Sequence, residues 1–313
     1  MHFAYPPRKK SNPQPFRPRS TRLPLLRRSR IKALALLFLA CLLLGYLVFG
    51  SRKPSPYHER VPSGSPSVVL VTIIDPTSYN NAYLNTIKEN REQYGAKHGY
   101  AVMIAKAYDY DTHGAPQSWA KILAMRHALS KYPDCKYLWY LDQDAYIMDP
   151  SKKLEQIVMD PKKLESLMIK DYSVVPPDSI IKTFSHLNGK DADFVVSQDK
   201  DGLVHKSVVV RNGEWAKFFI EMWLDPLYRS YNFQKAERHA LEHIVQWHPT
   251  VLSKLALIPQ RTIAAYASPE QGDGYQEGDF VVMFADCSSG GAKSCETVSS
   301  HYLRKWKDAF GSK

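Results

Sequence analysis

Residues 136–150 read KYLWYLDQDAYIMDP. The run Tyr137-Leu138-Trp139-Tyr140-Leu141 has the aromatic and aliphatic character of a strand buried on both faces. It leads directly into Asp142-Gln143-Asp144. In an extended segment residues i and i+2 point the same way, so the two carboxylates can converge on one point. Like charges that close repel unless a cation lies between them. Oxygen ligands suit a hard divalent ion such as Mn²⁺ or Mg²⁺, and an ion so held can grip a substrate diphosphate. An Asp-x-Asp is also an ordinary strand-end turn. The apolar strand leading in, and the helix-like continuation after Pro150, favour the functional reading.

The flanking sequence supplies a βαβαβ order. Residues 67–74 (SVVLVTII) form a continuous β-branched run, predicted as a buried parallel strand ending at Asp75-Pro76. Residues 78–98 carry Tyr79, Tyr83, Ile87 and Tyr94 at roughly helical spacing and close at Gly99. A second strand is predicted over 100–107 and a polar loop over 108–116. Residues 117–132 place Trp119, Ile122, Leu123, Met125, Ala128 and Leu129 on one face of an amphipathic helix. The acidic pair therefore falls at the carboxyl end of a strand in an α/β sheet, the edge at which such sheets bind ligands.

The 313 residues carry a formal charge of +11, but ten lysines and arginines and no acid lie in residues 1–32, leaving +1 for the rest. A nucleic-acid role, or binding through a basic membrane-facing surface, finds little support in so neutral a body. Residues 33–49 (ALALLFLACLLLGYLVF) are uncharged and at the short end for a membrane span. A cleaved signal peptide fits less well, since its charged region would be unusually long and no Ala-x-Ala site follows. The expected layout is a basic cytosolic tail over 1–32, a transmembrane anchor over 33–50, a Pro/Ser/Gly-rich linker over 51–66 and a lumenal domain over 67–313. Cys41 lies in the anchor and Cys135 is alone. Cys287 and Cys295 flank a Ser/Gly loop, where an oxidising lumen would permit a disulfide; two free thiols are the alternative.

Several longer segments occur together: SWAKILAMRHAL (118–129), YLWYLDQDAYIMDP (137–150), VVVRNGEW (208–215), ALEHIVQWHP (240–249), LALIPQR (255–261) and EGDFVVMFADC (277–287). In this order they resemble glycosyltransferase family 34, and within it the fungal α-1,6-mannosyltransferase subunits of the Golgi mannan polymerase complex. The resemblance implies a GT-A, Rossmann-like single catalytic domain behind an N-terminal anchor, in a type II Golgi membrane protein. It implies a GDP-mannose donor, a mannan or N-glycan acceptor, Mn²⁺ or Mg²⁺, retention of anomeric configuration and partner mannosyltransferase subunits. Asp142 and Asp144 match the family's metal and diphosphate site, with Gln143 between them. Trp119 and Lys121 match a tryptophan–lysine pair preceding it. Lys121 either offers its ammonium to a phosphate or is a solvated helix lysine. Asp149 is read as starting the next helix rather than binding metal.

Three departures from the family pattern fall at the expected pocket. Where relatives show Asn-Thr-Gly-Ser, this chain reads Val204-His205-Lys206-Ser207, so the glycine is replaced. In the helix predicted over 236–247, Glu237 keeps a carboxylate where relatives place a donor-facing acid, and is the candidate catalytic residue. Arg238 and His239 follow, with Glu242 and His243 one turn on; these form either a surface i,i+4 network or a sugar site. Arg238, Glu242 and His243 are carried as candidate donor or substrate contacts. The late strand, which in relatives ends His-Phe-x-Gly-Cys, ends here Met283-Phe284-Ala285-Asp286-Cys287, and a thioether is a poor ligand for Mn²⁺. Asp286 or His301 is the candidate replacement. Two functions follow: an active retaining hexosyltransferase, or a weakly active or inactive subunit of the same fold that supports a catalytic partner.

Overall fold

A computed structural model gives the conformation of residues 25–45, 64–176, 179–270, 272–284, 287 and 294–311. The expected tail up to Pro24, most of the expected linker, and Asp286 lie outside the described residues. The chain divides into two units, residues 1–60 and 61–313. In the first, helix α1 (Leu25–Gly45) covers most of the expected anchor and starts before it. Its Leu34, Leu36 and Phe38 are 67%, 71% and 66% exposed. Among the described residues no helix is long and apolar enough to cross a membrane.

The second unit opens with β1 (Val68–Ile74), every residue of which is buried. Helix α2 (Asn81–His98) starts three residues later than its periodicity predicts. The reason is local: the Asn80 side chain accepts from Ala82 N and caps the helix, while Gly99 ends it in the left-handed conformation at φ 69°. Then come β2 (Ala101–Lys106), α3 (Ala120–Lys131), β3 (Tyr137–Leu141) and β4 (Ala145–Ile147). The continuation after Pro150 is helical only from Glu155, as one wide π turn, followed by α4 (Pro161–Leu167) capped by Asp160. Asp149 caps the intervening turn instead, accepting from Ser151 N at 2.9 Å.

The second half supplies β5 (Phe194–Asp199), β6 (Gly202–Leu203), β7 (Ser207–Arg211), α5 (Glu214–Trp223), α6 (Pro226–Ser230), α7 (Ala236–Trp247), α8 (Pro249–Leu252), β8 (Leu255–Ile258), β9 (Ala265–Tyr266), β10 (Val281–Met283) and α9 (Cys295–Gly311). The main sheet runs β2-β1-β3-β7-β5-β6, with β8 on β5. Strand β1 pairs parallel with β2 and β3, whereas β7 pairs antiparallel with β3. A small sheet, β4-β10-β9, lies beyond it. One face of the main sheet packs Val69, Val71, Leu138 and Tyr140 against α3, α5 and α7. The other packs Val68, Leu70 and Trp139 against Tyr94 of α2 and the small sheet. The period-2 alternation thus sends Tyr140, and Asp142 after it, toward α3 and α7.

Cys287 and Cys295 form a disulfide, with Cα atoms 4.8 Å apart and eight residues of separation. Cys135 is buried and not disulfide-bonded. Closing so short a loop stabilises by about 2.5 kcal/mol in the chain-entropy account. Cys295→Ala is expected to lower unfolding free energy by that order, measured by urea denaturation with and without reductant. Wild type and variant should converge once reduced.

Candidate active site

Four segments converge at the carboxyl edge of the sheet. Strand β3 delivers Asp142-Gln143-Asp144, and the turn before α3 delivers Ser118 and, one turn on, Lys121. The turn before β7 delivers His205 and Lys206, and the first turn of α7 delivers Glu237. They line a cavity of about 300 Å³ with Tyr79 and Asp75 at its rim.

The acidic turn is held from beneath. Arg91 of α2 is fully buried, and its guanidinium donates to Asp142 O and Ala145 O, both at 2.9 Å, and to Thr72 Oγ1 at 3.3 Å. Burial pushes this guanidinium down to about 10, against the pull of Tyr83 and the other groups around it. Tyr83 donates to Gln143 O at 2.8 Å, and Gln143 Oε1 accepts from Asp75 N at 2.8 Å. Gln143 therefore spans the ends of β1 and β3.

Glu237 is 2% exposed, yet both its oxygens are occupied. Lys121 Nζ lies 2.8 Å from Oε1, His205 Nε2 lies 3.3 Å from the same atom, and Ser118 Oγ donates to Oε2. Burial alone would raise this carboxyl; Lys121 and His205 outweigh it and hold it well below the usual carboxylate range. Its place in the first turn of α7 also favours the negative charge. Lys121 is not a solvated helix lysine: it is 5% exposed, and its ammonium is 3.7 Å from Asp142 Oδ2.

Burial and the neighbouring Lys121 ammonium push His205 down to about 4, so it is neutral at physiological pH, with Nε2 donating to Glu237. Its Nδ1 is buried without a protein partner, as is Asp144 Oδ1. A depressed value fixes the direction of the pH dependence. Above pH 6.5 both folded and unfolded chains are neutral here and nothing is lost. Between 6.5 and about 4 the unfolded chain binds a proton that the folded one refuses, and stability falls by roughly 3 kcal/mol. His205→Asn is expected to flatten this acid limb in urea unfolding across that window; an unchanged limb contradicts the assignment.

Asp144 is paired with Lys206, whose Nζ donates to Oδ2. Burial raises the Asp144 carboxyl, with the push of Asp142 and against the pull of Lys206. Burial works against the Lys206 ammonium too, but Asp144 and Asp142 overcome it and hold it cationic.

Mn²⁺ or Mg²⁺ on Asp142 and Asp144 meets a donor set that does not fit such an ion. Asp144 Oδ1 is a free oxygen, but Oδ2 of the same carboxylate already holds an ammonium. Met283 stands at the third position of the family pattern; the next residue's amide, Phe284 N, donates to Asp144 O at 2.7 Å, but the Met283 side chain is buried in the core with Leu141 and Tyr266 and does not line the cavity. His301 is exposed on α9, its ring against Tyr302. Among the described residues no three His, Cys, Asp or Glu side chains converge as a metal set.

Other candidates are placed elsewhere. Trp119 is 1% exposed within the core under α3, so its ring does not line the cavity. Arg238 and Glu242 form a buried network instead: Arg238 reaches Asp199 at 2.6 Å and Glu242 at 3.1 Å, while Glu242 accepts from Leu203 N at 3.0 Å. They clamp the β5–β6 turn, where Gly202 has φ +137° and an added Cβ would lie 2.0 Å from Glu242 Oε1. His243 packs among Tyr228, Phe233 and Trp247. The network is thus internal, and neither a surface lattice nor part of the cavity lining. Arg91, Ser118 and His205 are site residues that the sequence does not single out.

Residues 64–294 match the galactosyl transferase GMA12/MNN10 family. The chain belongs to that family. An uncharacterised α-1,2-galactosyltransferase of Schizosaccharomyces pombe is 29% identical over 89% of this chain and 92% of its own length. The proteins named probable α-1,6-mannosyltransferase MNN11 and MNN10 of Saccharomyces cerevisiae are each 30% identical, over 79% and 71% of this chain and 64% and 61% of their own. A glycosyltransferase involved in glycosylation of the major capsid of PBCV-1 aligns with 76% of this chain and all of its own at TM-score 0.52 and 12% identity, a likeness of fold. The GMA12/MNN10 membership and this GT-A-like fold accord with the family resemblance read from the sequence.

Proposed function

We propose that this chain is a retaining hexosyltransferase that moves mannose from GDP-mannose to an α-1,6-mannan or N-glycan acceptor. The observation that carries the reading is the convergence of Asp142, Asp144, Lys121 and Glu237 in one cavity at the carboxyl edge of the sheet. Two ammonium groups beside a strand-end acidic turn suit a nucleoside-diphosphate hexose. In the transfer the bond from the anomeric carbon to the diphosphate oxygen breaks. A bond from that carbon to the acceptor hydroxyl oxygen forms on the same face, and the hydroxyl proton passes to the departing phosphate. Lys121 stands where it can meet charge building on the leaving group. Glu237, with both oxygens engaged, is a poor nucleophile; it positions Lys121 and presents fixed negative charge to the anomeric carbon. His205 Nδ1 and Asp144 Oδ1 remain as acceptors for sugar hydroxyls.

The same reading places the protein in the Golgi membrane as a type II protein, anchored through residues 33–50 and joined to other mannosyltransferase subunits. The apolar residues of α1 from Leu34 to Leu44, exposed all round the helix, support the anchor. A galactose donor is the second reading, favoured by the name of the Schizosaccharomyces relative.

Purified protein is to be offered GDP-mannose and UDP-galactose in parallel with mannose oligomers, and the product linkage read by NMR. Transfer of mannose in α-1,6 linkage, lost in Asp144→Asn, is the expected result. Transfer of galactose alone replaces the donor. No transfer of either by folded protein overturns the enzymatic reading in favour of a supporting subunit.

A further inference from the structure

The turn before β7 carries a cation to the place where a divalent ion was expected. Asp142 N donates to Lys206 O at 2.9 Å, continuing the β3–β7 ladder past Leu141 and Ser207. The backbone of residue 206 is thereby pinned beside the acidic pair, and its side chain reaches Asp144 Oδ2. On the other side, Lys121 stands 3.7 Å from Asp142 Oδ2. Each carboxylate of the pair therefore has an ammonium beside it, that of Lys121 being shared with Glu237 at 2.8 Å. A lysine is cationic at neutral pH and offers three donors, of which Asp144 uses one. A divalent ion placed at Asp144 would stand next to this fixed positive charge and, among the described residues, would find no third His, Cys, Asp or Glu ligand, Met283 being packed in the core.

We propose that the Lys206 ammonium takes the role of the divalent cation, bridging Asp144 to the donor's diphosphate, so that this chain binds a nucleoside diphosphate without metal. The proposal rests on the nucleotide-sugar reading of the same cavity. It differs from that reading in assigning the bridging charge to the polypeptide.

The test uses the full chain in detergent, with GDP and UDP as calorimetric probes, each measured in EDTA and in Mn²⁺, and a separate titration of Mn²⁺ alone. Wild type is expected to bind its nucleotide equally in both buffers and to take up no Mn²⁺ at this site. Lys206→Met is expected to bind about ten- to a hundredfold more weakly in EDTA, the loss of one charge-assisted contact, and to recover with Mn²⁺. Lys206→Gly, which removes the side chain altogether, is expected to behave alike and guards against an effect peculiar to methionine. Wild-type binding that requires Mn²⁺, or Lys206 variants that bind as wild type does in EDTA, overturns the proposal. A protein that binds neither nucleotide under any condition, while Lys206→Met gains Mn²⁺, sinks the transferase reading and leaves Lys206 as the occupant of the metal position.

Discussion

Lys121→Met is expected to lower hexosyl transfer by about 10²–10³-fold and to cost roughly 3–5 kcal/mol of stability. The two effects have one cause. Lys121 Nζ is 2.8 Å from Glu237 Oε1 and 3.7 Å from Asp142 Oδ2, and all three side chains are largely withdrawn from water. Methionine keeps the length and the packing against Tyr140 but leaves two carboxylates facing each other without a counter-charge. Breaking a buried pair by removing one partner strands the other charge, which is why the penalty exceeds the net worth of the pair. The second variant separates structure from chemistry. In Lys121→Met with Glu237→Leu the more deeply buried of the two stranded carboxylates is gone and only Asp142 remains, so urea unfolding should recover part of the loss. Transfer should not recover, because the ammonium facing the leaving diphosphate is still missing and the fixed charge of Glu237 is gone with it. Recovery of both would make Lys121 a structural residue. Loss of transfer with stability unchanged would mean that the pair is more hydrated than its burial implies.

The central strand and its acidic end are legible in the sequence because β3 is short, apolar and buried on both faces, and the pleat alone aims Asp142 toward α3 and α7. Strand β1 is legible for the same reason, whereas β2, only half-buried, is legible as an apolar run between turns and α3 by its helical spacing of apolar residues. Element ends are displaced by local hydrogen bonding: Asn80 caps α2 later than periodicity suggests. The segment after Pro150 is a turn where a helix is expected, because Asp149 and Ser151 close it with contacts that composition does not distinguish from a helix start. The antiparallel pairing of β7 with β3 has no local signature, and that pairing is what sets Lys206 against Asp144. The sequence shows only that a glycine is replaced; the replacement's partner lies 62 residues away. Arg238 and Glu242 fall outside the cavity for a related reason. Their i,i+4 spacing is equally compatible with a cavity wall and with a clamp on a glycine turn, and only the position of β6 decides between them. Arg91 does leave a trace. It falls on the stripe of Tyr83, Ile87 and Tyr94, where an arginine on an otherwise apolar helix face implies a buried polar duty.

That duty gives the second large effect: Arg91→Met is expected to destabilise the fold by roughly 2–6 kcal/mol and to weaken nucleotide binding although residue 91 does not line the cavity. Its guanidinium supplies donors to Asp142 O and Ala145 O, both at 2.9 Å. Two buried carbonyls therefore lose their partner together, at about 1–3 kcal/mol each. A methionine fills most of the space, so the loss is one of hydrogen bonding rather than of a cavity. The carbonyls flank the acidic turn, and a turn released on one side relaxes toward the sheet edge, changing the separation of Asp142 and Asp144. Binding should weaken in step, with calorimetry showing a higher Kd for the nucleotide at temperatures where the variant remains folded. Lysine provides one charged group instead of a planar fork, so Arg91→Lys should restore part of the stability and little of the affinity. Equal affinity in wild type and Arg91→Met, measured on folded protein, would show that Tyr83 and Gln143 hold the acidic turn without it.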